Sequence, residues 1–598
     1  METRKVRQQS SRLSLAIVIA AALLVRLPFL NQAIQGDDVY YLAGAEHAQI
    51  DPLHPNHTRY LFLGDLVDMR GHPHPPFNVW FLGLLVAVTG DIREIPFHAA
   101  YVLFSLIAAV SMWSLARRFS PHPAWATLLF LAVPAFVVNG NSLESDVPLL
   151  AFWVAAVALF AGERWLLSAA ALFLAAMTGF QAVLLTPILA IYVWLFARRS
   201  RAAWLVTLAP VATIAGWQVY ERLSTGVLPA AVLSGYMNSY GWQTFYNKSR
   251  NAAALTVHSV WMVFPLLLPP AVAAIWKRRD RDTVFLSAWI VIFFAGALVI
   301  FFAGSARYLL PIAAPICLLV SRLRPAWLAI GFVCQMALSL SLAVVNYQHW
   351  DGYRRFARTL QPFHRIWING EWGLRYYLEA RGGLPLERGQ VVRPGDAVVS
   401  SELAYPVEFH HGGGVLTPVA QMEIRSTLPL RLIGLDAKSG YSTASKGLRP
   451  FDISRGPIDR VRADLVVERQ PTLEYLPMNA PQAAEQIVSG VFELEDGRWR
   501  WMSGRAVVLL KTPVEPATLR VSFTIPGPSP ARRVAVEIDG REVASKTFPA
   551  PGTYVLEAPV PRIDAPAVAV TIAVDRVFSV PGDVRKLGII LTELGFRK

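Results

Sequence analysis

The stretch Pro96–Ala116, PFHAAYVLFSLIAAVSMWSLA, followed at once by Arg117 and Arg118, decides the fold class. It contains no Asp, Glu, Lys or Arg, and as a helix it covers about 30 Å, the thickness of a bilayer's hydrocarbon core. An arginine pair directly after such a run marks a cytoplasmic loop. Outward from it, comparable runs recur at 13–30, 122–139, 147–162, 165–178, 182–197, 203–220, 253–275, 283–303, 306–321 and 326–345, which makes about eleven transmembrane helices. Alternate threading from a cytoplasmic N-terminus puts Arg117/Arg118, Arg164, Arg198/Arg199/Arg201, Lys277/Arg278/Arg279/Arg281 and Arg322/Arg324 on one inner side. The run at 77–90 is short for a span and reads as an interfacial helix. Met1–Arg12, basic and followed by an apolar run with no clear cleavage site, reads as the lead-in to an uncleaved first helix.

Composition agrees. The chain has 598 residues, 54% of them hydrophobic, with a mean hydropathy of +0.39, too long for one domain and too apolar to be wholly soluble. The net charge of +14 sits between apolar runs, as topology signals do, so nucleic acid is not a partner. The two cysteines, Cys317 and Cys334, both fall in apolar runs and supply neither a disulfide framework nor a zinc-thiolate site.

After Asn346 the pattern changes: Pro and Gly rise, and no run can span a membrane. The organisation expected is a transmembrane domain over 1–345 with a long first outer loop at 31–95, then an extracytoplasmic mixed α/β region over 346–487, then an extracytoplasmic β-sandwich over 488–598. Helices are expected at Gly352–Leu360 and Glu371–Ala380. Strands are expected at Ala397–Ser400, Ala506–Leu510, Leu519–Ile525, Val534–Asp539, Glu542–Phe548 and Val568–Val574, with an Asp539-Gly540 turn.

The threading gathers four polar clusters on the outer side: Gly36-Asp37-Asp38-Val39-Tyr40-Tyr41, His72-Pro73-His74-Pro75-Pro76, Glu144-Ser145-Asp146-Val147-Pro148 and Arg307-Tyr308-Leu309-Leu310-Pro311. Holding a carboxylate near lipid costs up to about 3 kcal/mol, so acids kept there mark function. Plainer duties exist for each: Asp37 and Asp38 as a helix cap and first-turn acid, Asp146 as a cap, Arg307 as a snorkelling helix-end residue. Outside the cytoplasm no nucleotide sugar is at hand, so a biosynthetic enzyme needs a donor that crossed the membrane with its leaving group. A polyprenyl-phosphate-linked sugar meets that need. An interfacial carboxylate can take the proton of an acceptor hydroxyl, worth about 10²- to 10⁴-fold, and Arg307 can grip phosphate in a bidentate way. His47, His54, His57, His72 and His74 crowd the first loop and His258 lies further on, so a divalent metal stays open as a cofactor although the spacing fits no ligand pattern. Arg498-Trp499-Arg500-Trp501 could present a sugar platform, but alternate Trp is what a half-buried strand carries.

In this order, a paired acid before Tyr-Tyr, a His-Pro-Pro turn, an acid before Pro-Leu-Leu and an Arg-Tyr-Leu-Leu-Pro run, the chain resembles the GT-C glycosyltransferases, in the protein O-mannosyltransferase and aminoarabinose transferase branch (families 39 and 83). The resemblance spans roughly residues 10–345. It implies that Asp37 is the catalytic acid of the family, with Asp38 its neighbour and Asp146 the second-loop acid. It implies a His-Pro-Pro turn at His74, and Arg307 at the lipid phosphate. Thr178-Gly179-Phe180-Gln181 stands where many relatives carry a lysine, and His74 replaces the Glu-Lys pair of the aminoarabinose branch.

The expectation is thus a polytopic α-helical plasma-membrane protein that transfers a sugar, hexose or pentose, from a polyprenyl-phosphate donor to a lipid, protein or polysaccharide acceptor. Its catalytic residues would be Asp37, Asp38 and Asp146, and its substrate-binding residues Tyr41, His74, Glu144, Gln181, Arg307 and Tyr308. A flippase of lipid-linked sugars is the alternative, but transporters place acids at midplane and show internal repeats, and neither is found. A polysaccharide-binding scaffold is the other.

Overall fold

The computed structural model describes residues 15–238, 243–276, 278, 280–301, 303–468, 470–527, 529–580, 583 and 585–597. The basic lead-in Met1–Arg12, Lys277 and Arg279 lie outside them. Every apolar run read from the sequence lies wholly or mainly in helix, from Leu15–Phe29 to Pro325–Thr359. Most runs form helices that are short or bent. Among the described residues three helices are long and apolar enough to span a bilayer, Glu94–Phe119, Arg281–Ile300 and Pro325–Thr359, and five if each of two bent pairs counts as one. Breaks account for part of the difference, and other runs, such as Asp146–Ala161 and Trp165–Thr178, form shorter apolar helices. Run 122–139 divides into Pro123–Leu131 and Pro134–Asn139, where Pro134 removes a backbone donor. The pairs Arg201–Thr207 with Ala209–Thr225 and Phe245–Val260 with Pro265–Trp276 bend by 41° and 77°, each with a proline at the break.

The helices bury a continuous core that includes Trp153, Phe160 and Trp289 and leave apolar side chains such as Leu103, Val291 and Val333 exposed, as lipid rather than water demands. The chain is a membrane protein with a helical N-terminal region and a β-rich C-terminal region. Helix Pro325–Thr359 runs unbroken from its apolar half into a polar end that packs on the following sheet.

That sheet has five strands in the order 384–385, 366–369, 397–401, 459–467, 415–424. The first three pair in parallel and the rest antiparallel. A second, wholly antiparallel sheet joins nine strands in one ladder. Its main path runs 541–548, 532–538, 567–574, 499–511, 590–597, 517–525, 552–560, while 475–477 and 487–495 lie off it. Leu519, Val521, Phe523 and Ile525 point to one side and are buried, the period-two signature of a strand with one face in a core. Asp539 and Gly540 both take positive φ, the two-residue turn expected there. The first loop also holds a hairpin, in which Arg59–Phe62 pairs with Asp65–Asp68 around Leu63-Gly64.

Candidate functional site

The first loop leaves the membrane helix at Phe29 and turns back at Gly36, whose φ is +46. A Cβ there would meet Glu144 Oε1 at 2.8 Å, so only glycine lets the loop approach the second loop this closely. Asp37 follows at the start of helix Asp38–His47, yet its carboxylate caps nothing. It accepts instead from Arg307 Nη2 at 2.7 Å, while its backbone N–H donates to Glu144 Oε1 at 3.2 Å. Arg307 stands on a 3₁₀ turn, Ala306–Leu309, that opens helix Leu310–Val320. Its Nη1 pairs with Glu144, and its Nε lies 3.6 Å from Asp146 and makes no hydrogen bond. One guanidinium therefore faces three carboxylates drawn from two loops.

Burial raises the Glu144 carboxyl well above the ordinary range against the pull of Arg307, and the like charges of Asp37 and Asp146 add to the rise. Asp146 heads helix Asp146–Ala161 behind Ser145, which occupies the cap position, so its carboxylate is left for Arg307. Asp38 points the other way. It is fully buried and accepts from the backbone N–H groups of Gln35 at 3.0 Å and Leu143 at 2.7 Å, stitching the first loop to the second. Burial pushes its carboxyl up to about 8, opposed by those two amides.

Asp37 and Arg307 lie on the wall of a mainly apolar cavity of about 640 Å³, shared with Tyr41, His74, Gln181 and Tyr308. Tyr41 and His74 meet at Ser145, whose Oγ is 2.9 Å from the Tyr41 hydroxyl and 2.8 Å from His74 Nδ1. The Thr178 carbonyl, 3.2 Å from the same Nδ1, can only accept, so His74 carries its proton there and Nε2 keeps its lone pair. Burial lowers His74 to about 4 and the neighbouring His72 to about 3, so both imidazoles are neutral at physiological pH. Tyr308 stacks on Phe301 with ring centroids 4.3 Å apart.

Six of the nine residues singled out in the sequence line the cavity, Glu144 and Asp146 stand behind Arg307, and Asp38 does not reach it. The other histidines are dispersed: His54 sits on Asp51 and Tyr220, and His258 bonds the Gly440 carbonyl at 3.0 Å. Among the described residues no three His, Cys, Asp or Glu side chains group as a metal site requires. Trp501 sits in strand Trp499–Lys511, its indole N–H on Glu495 and its ring against Phe578.

Tyr441 is a site residue with no local signal in the sequence. It lies in the β-rich region, and its carbonyl accepts from Ala306 N–H at 2.9 Å and Ser305 Oγ at 3.0 Å, the two residues before Arg307. Its hydroxyl donates to Asn139 at 3.0 Å, at the head of the loop that carries Glu144 and Asp146. Ser145 and His72, by contrast, stood inside motifs already quoted.

Residues 73–220 match the family model described as dolichyl-phosphate-mannose-protein mannosyltransferase. The GT-C resemblance, in the protein O-mannosyltransferase branch, therefore holds. The matched stretch contains His74, Glu144, Asp146 and Gln181, while Asp37 and Arg307 lie on either side of it. No curated protein sequence matches the chain. Among solved structures, ArnT from Cupriavidus metallidurans bound to undecaprenyl phosphate is 15% identical with a TM-score of 0.42, over 65% of this chain and 93% of that one. The arabinofuranosyltransferase AftD from Mycobacteria is 13% identical with a TM-score of 0.41, over 98% of this chain and 58% of that one.

Proposed function

We propose that the chain is a membrane glycosyltransferase that moves a sugar from a polyprenyl-phosphate donor to an acceptor hydroxyl. The donor would be held at the extracytoplasmic face of the plasma membrane, with the N-terminus cytoplasmic. The observation that carries this reading is the bracketing of Arg307 by Asp37, Glu144 and Asp146 on the wall of a mainly apolar cavity. Three carboxyl groups crowd one guanidinium, more than an ion pair needs, and perturbed charge clusters beside a cavity concentrate at functional sites.

The donor's phosphodiester is an anion that competes with Asp37 for the Arg307 fork. Once it does, Asp37 is freed as a base. Asp37 takes the proton of the acceptor hydroxyl, the acceptor oxygen bonds the anomeric carbon from the opposite face, and the sugar–phosphate C–O bond breaks with its electron pair leaving on the phosphate. Arg307 then balances the charge on the departing phosphate. The anomeric centre inverts.

In this reading Glu144 and Asp146 orient Arg307, Asp38 positions Asp37 through the loop amides, and the neutral pair Tyr41 and His74, with Gln181 and Tyr308, borders the sugar. The eleven crossings, the division at 345 and 487 and a C-terminal sandwich belong to the same proposal. Transfer from a panel of polyprenyl-phosphate sugars, with Asp37→Asn as control, tests it. A panel that the wild type neither transfers nor hydrolyses, or an Asp37→Asn variant with full turnover, removes the assignment.

A further inference from the structure

A second cleft, about 830 Å³, lies where three parts of the chain meet: the first-loop hairpin, the segments 387–389 and 408–411, and the edge of the nine-stranded sheet. The hairpin lines both it and the Arg307 cavity. Tyr60, Phe62 and Val67 line the Arg307 cavity, Leu61 and Asp65 line the cleft, and Leu66, 59% exposed, lines both. We propose that this cleft holds the acceptor, a neutral glycan chain, and leads its end past Leu66 to Asp37. The inference deepens the transferase reading and rests on it.

The hairpin is built to stay put. Leu63 holds φ +53, a conformation that costs a branched residue about 1–3 kcal/mol and persists only where its surroundings impose it. Here they do. Its N–H donates to Glu371 Oε1 at 2.8 Å, its carbonyl accepts from Arg388 Nη2 at 3.0 Å, and the Gly64 carbonyl accepts from Arg388 N–H at 3.0 Å. Gly64, at φ +82, has Val407 and the Arg388 backbone within 3.1 Å of where a Cβ would sit. Glu371 also accepts from the Tyr40 hydroxyl of the reaction cavity at 3.2 Å, so the two cavities share one clamp.

The lining selects the class of ligand. Four basic and four acidic side chains surround the cleft, so its field attracts neither a polyanion nor a polycation. Among the described residues the Glu408 and Glu493 carboxylates have no hydrogen-bond or ion-pair partner, and an ionised carboxylate is a strong acceptor for hydroxyls. Phe409 and Phe492 also line the cleft, the Phe492 ring under the Arg585 guanidinium, and aromatic rings are surfaces on which the apolar side of a pyranose or furanose can lie. A peptide would be read by adding a strand to the free edge, Ile487–Glu495. That edge changes register at three places along its one neighbour, which denies an incoming strand a regular ladder.

The test uses the full chain in lipid nanodiscs, titrated with short neutral oligosaccharides of a mannan series and an arabinan series. At least one series should bind, and Phe409→Ala and Glu493→Gln should each weaken it about tenfold, with hydrolysis of polyprenyl-phosphate sugars by the folded protein unchanged. Three results overturn the proposal: no oligosaccharide binds, or binding persists unchanged in both variants, or a Ser/Thr-rich peptide binds in their place and is the ligand the variants lose. Donor hydrolysis separates the two readings. If the wild type binds oligosaccharide in the cleft yet never hydrolyses a donor, the transferase reading fails while the glycan cleft stands.

Discussion

Two arginines of this protein are each surrounded by acids, and they differ in a way that separates chemistry from architecture. Arg354, at the polar end of the long helix, spends every nitrogen: Nη1 on Glu94 at 2.6 Å and on Asn31, Nε and Nη2 on Asp351 at 3.0 and 2.6 Å. Glu94 is satisfied in turn by the Tyr377 hydroxyl. The cluster lines none of the larger cavities and pins the first loop's far end to the β-rich region. Arg307 has an idle Nε, three competing carboxylates and a cavity in front of it. A saturated ion network holds parts together, whereas an unsaturated one beside a cavity is poised for a ligand.

Asp37→Asn gives the largest effect that could break this contrast, since it keeps the shape and removes the base. Transfer should fall by about 10²- to 10⁴-fold with membrane insertion and melting temperature preserved. Arg307→Lys keeps the charge but loses the fork. Donor turnover should drop by about ten- to a hundredfold, equivalent to about 1.5–3 kcal/mol of charge-assisted hydrogen bonding, with little change in stability. Arg354→Met should do the reverse: it leaves Glu94 to Tyr377 and Asp351 to Arg355, costs about 1.5–3 kcal/mol of stability read as a lower melting temperature, and leaves kcat of the folded fraction near wild type. If Arg354→Met abolished catalysis in folded protein, or Arg307→Lys merely unfolded it, the distinction would be lost.

Tyr441→Phe sharpens the comparison by probing how the β-rich region reaches the site. Loss of the hydroxyl bond to Asn139 should cost about 1 kcal/mol, seen as a severalfold lower kcat with the acceptor KM unchanged. An effect on KM alone would place Tyr441 elsewhere in the cycle. The remaining test is of pH. His72 and His74 have folded values near 3 and 4 against an ordinary 6.5, so the unfolded chain binds their protons first. Their contribution is present above pH 6.5 and is lost as pH falls toward 4. His74→Gln should flatten that slope in a thermal melt series from pH 7 to 4, and an unaltered slope would contradict neutral burial.

Much of the helical region was legible in the sequence, because apolar runs of helix length have few other folded forms. The strands at 517–525, 532–538 and 567–574 were legible through alternation, and the Asp539-Gly540 turn through its residue types. The breaks at Pro134, Pro210 and Pro265 were not, since the hydropathy of those runs is continuous across them. The first-loop hairpin was not either, because Leu63 at positive φ is imposed by Glu371 and Arg388, more than 300 positions away in the chain.

For the site, the sequence by itself determined the ingredients: paired acids at Asp37 and Asp38, the His74 turn, Glu144, Asp146, Gln181 and Arg307, each beside an apolar run that fixes its depth. Only the tertiary structure decided their partition, with Asp37 toward the cavity, Asp38 turned onto two backbone amides and Tyr441 bracing the Arg307 turn from the β-rich region. The physical reason is that residue type and local spacing encode hydropathy and helix ends, whereas the direction of a carboxylate is set by which donors the folded chain brings within about 3 Å of it.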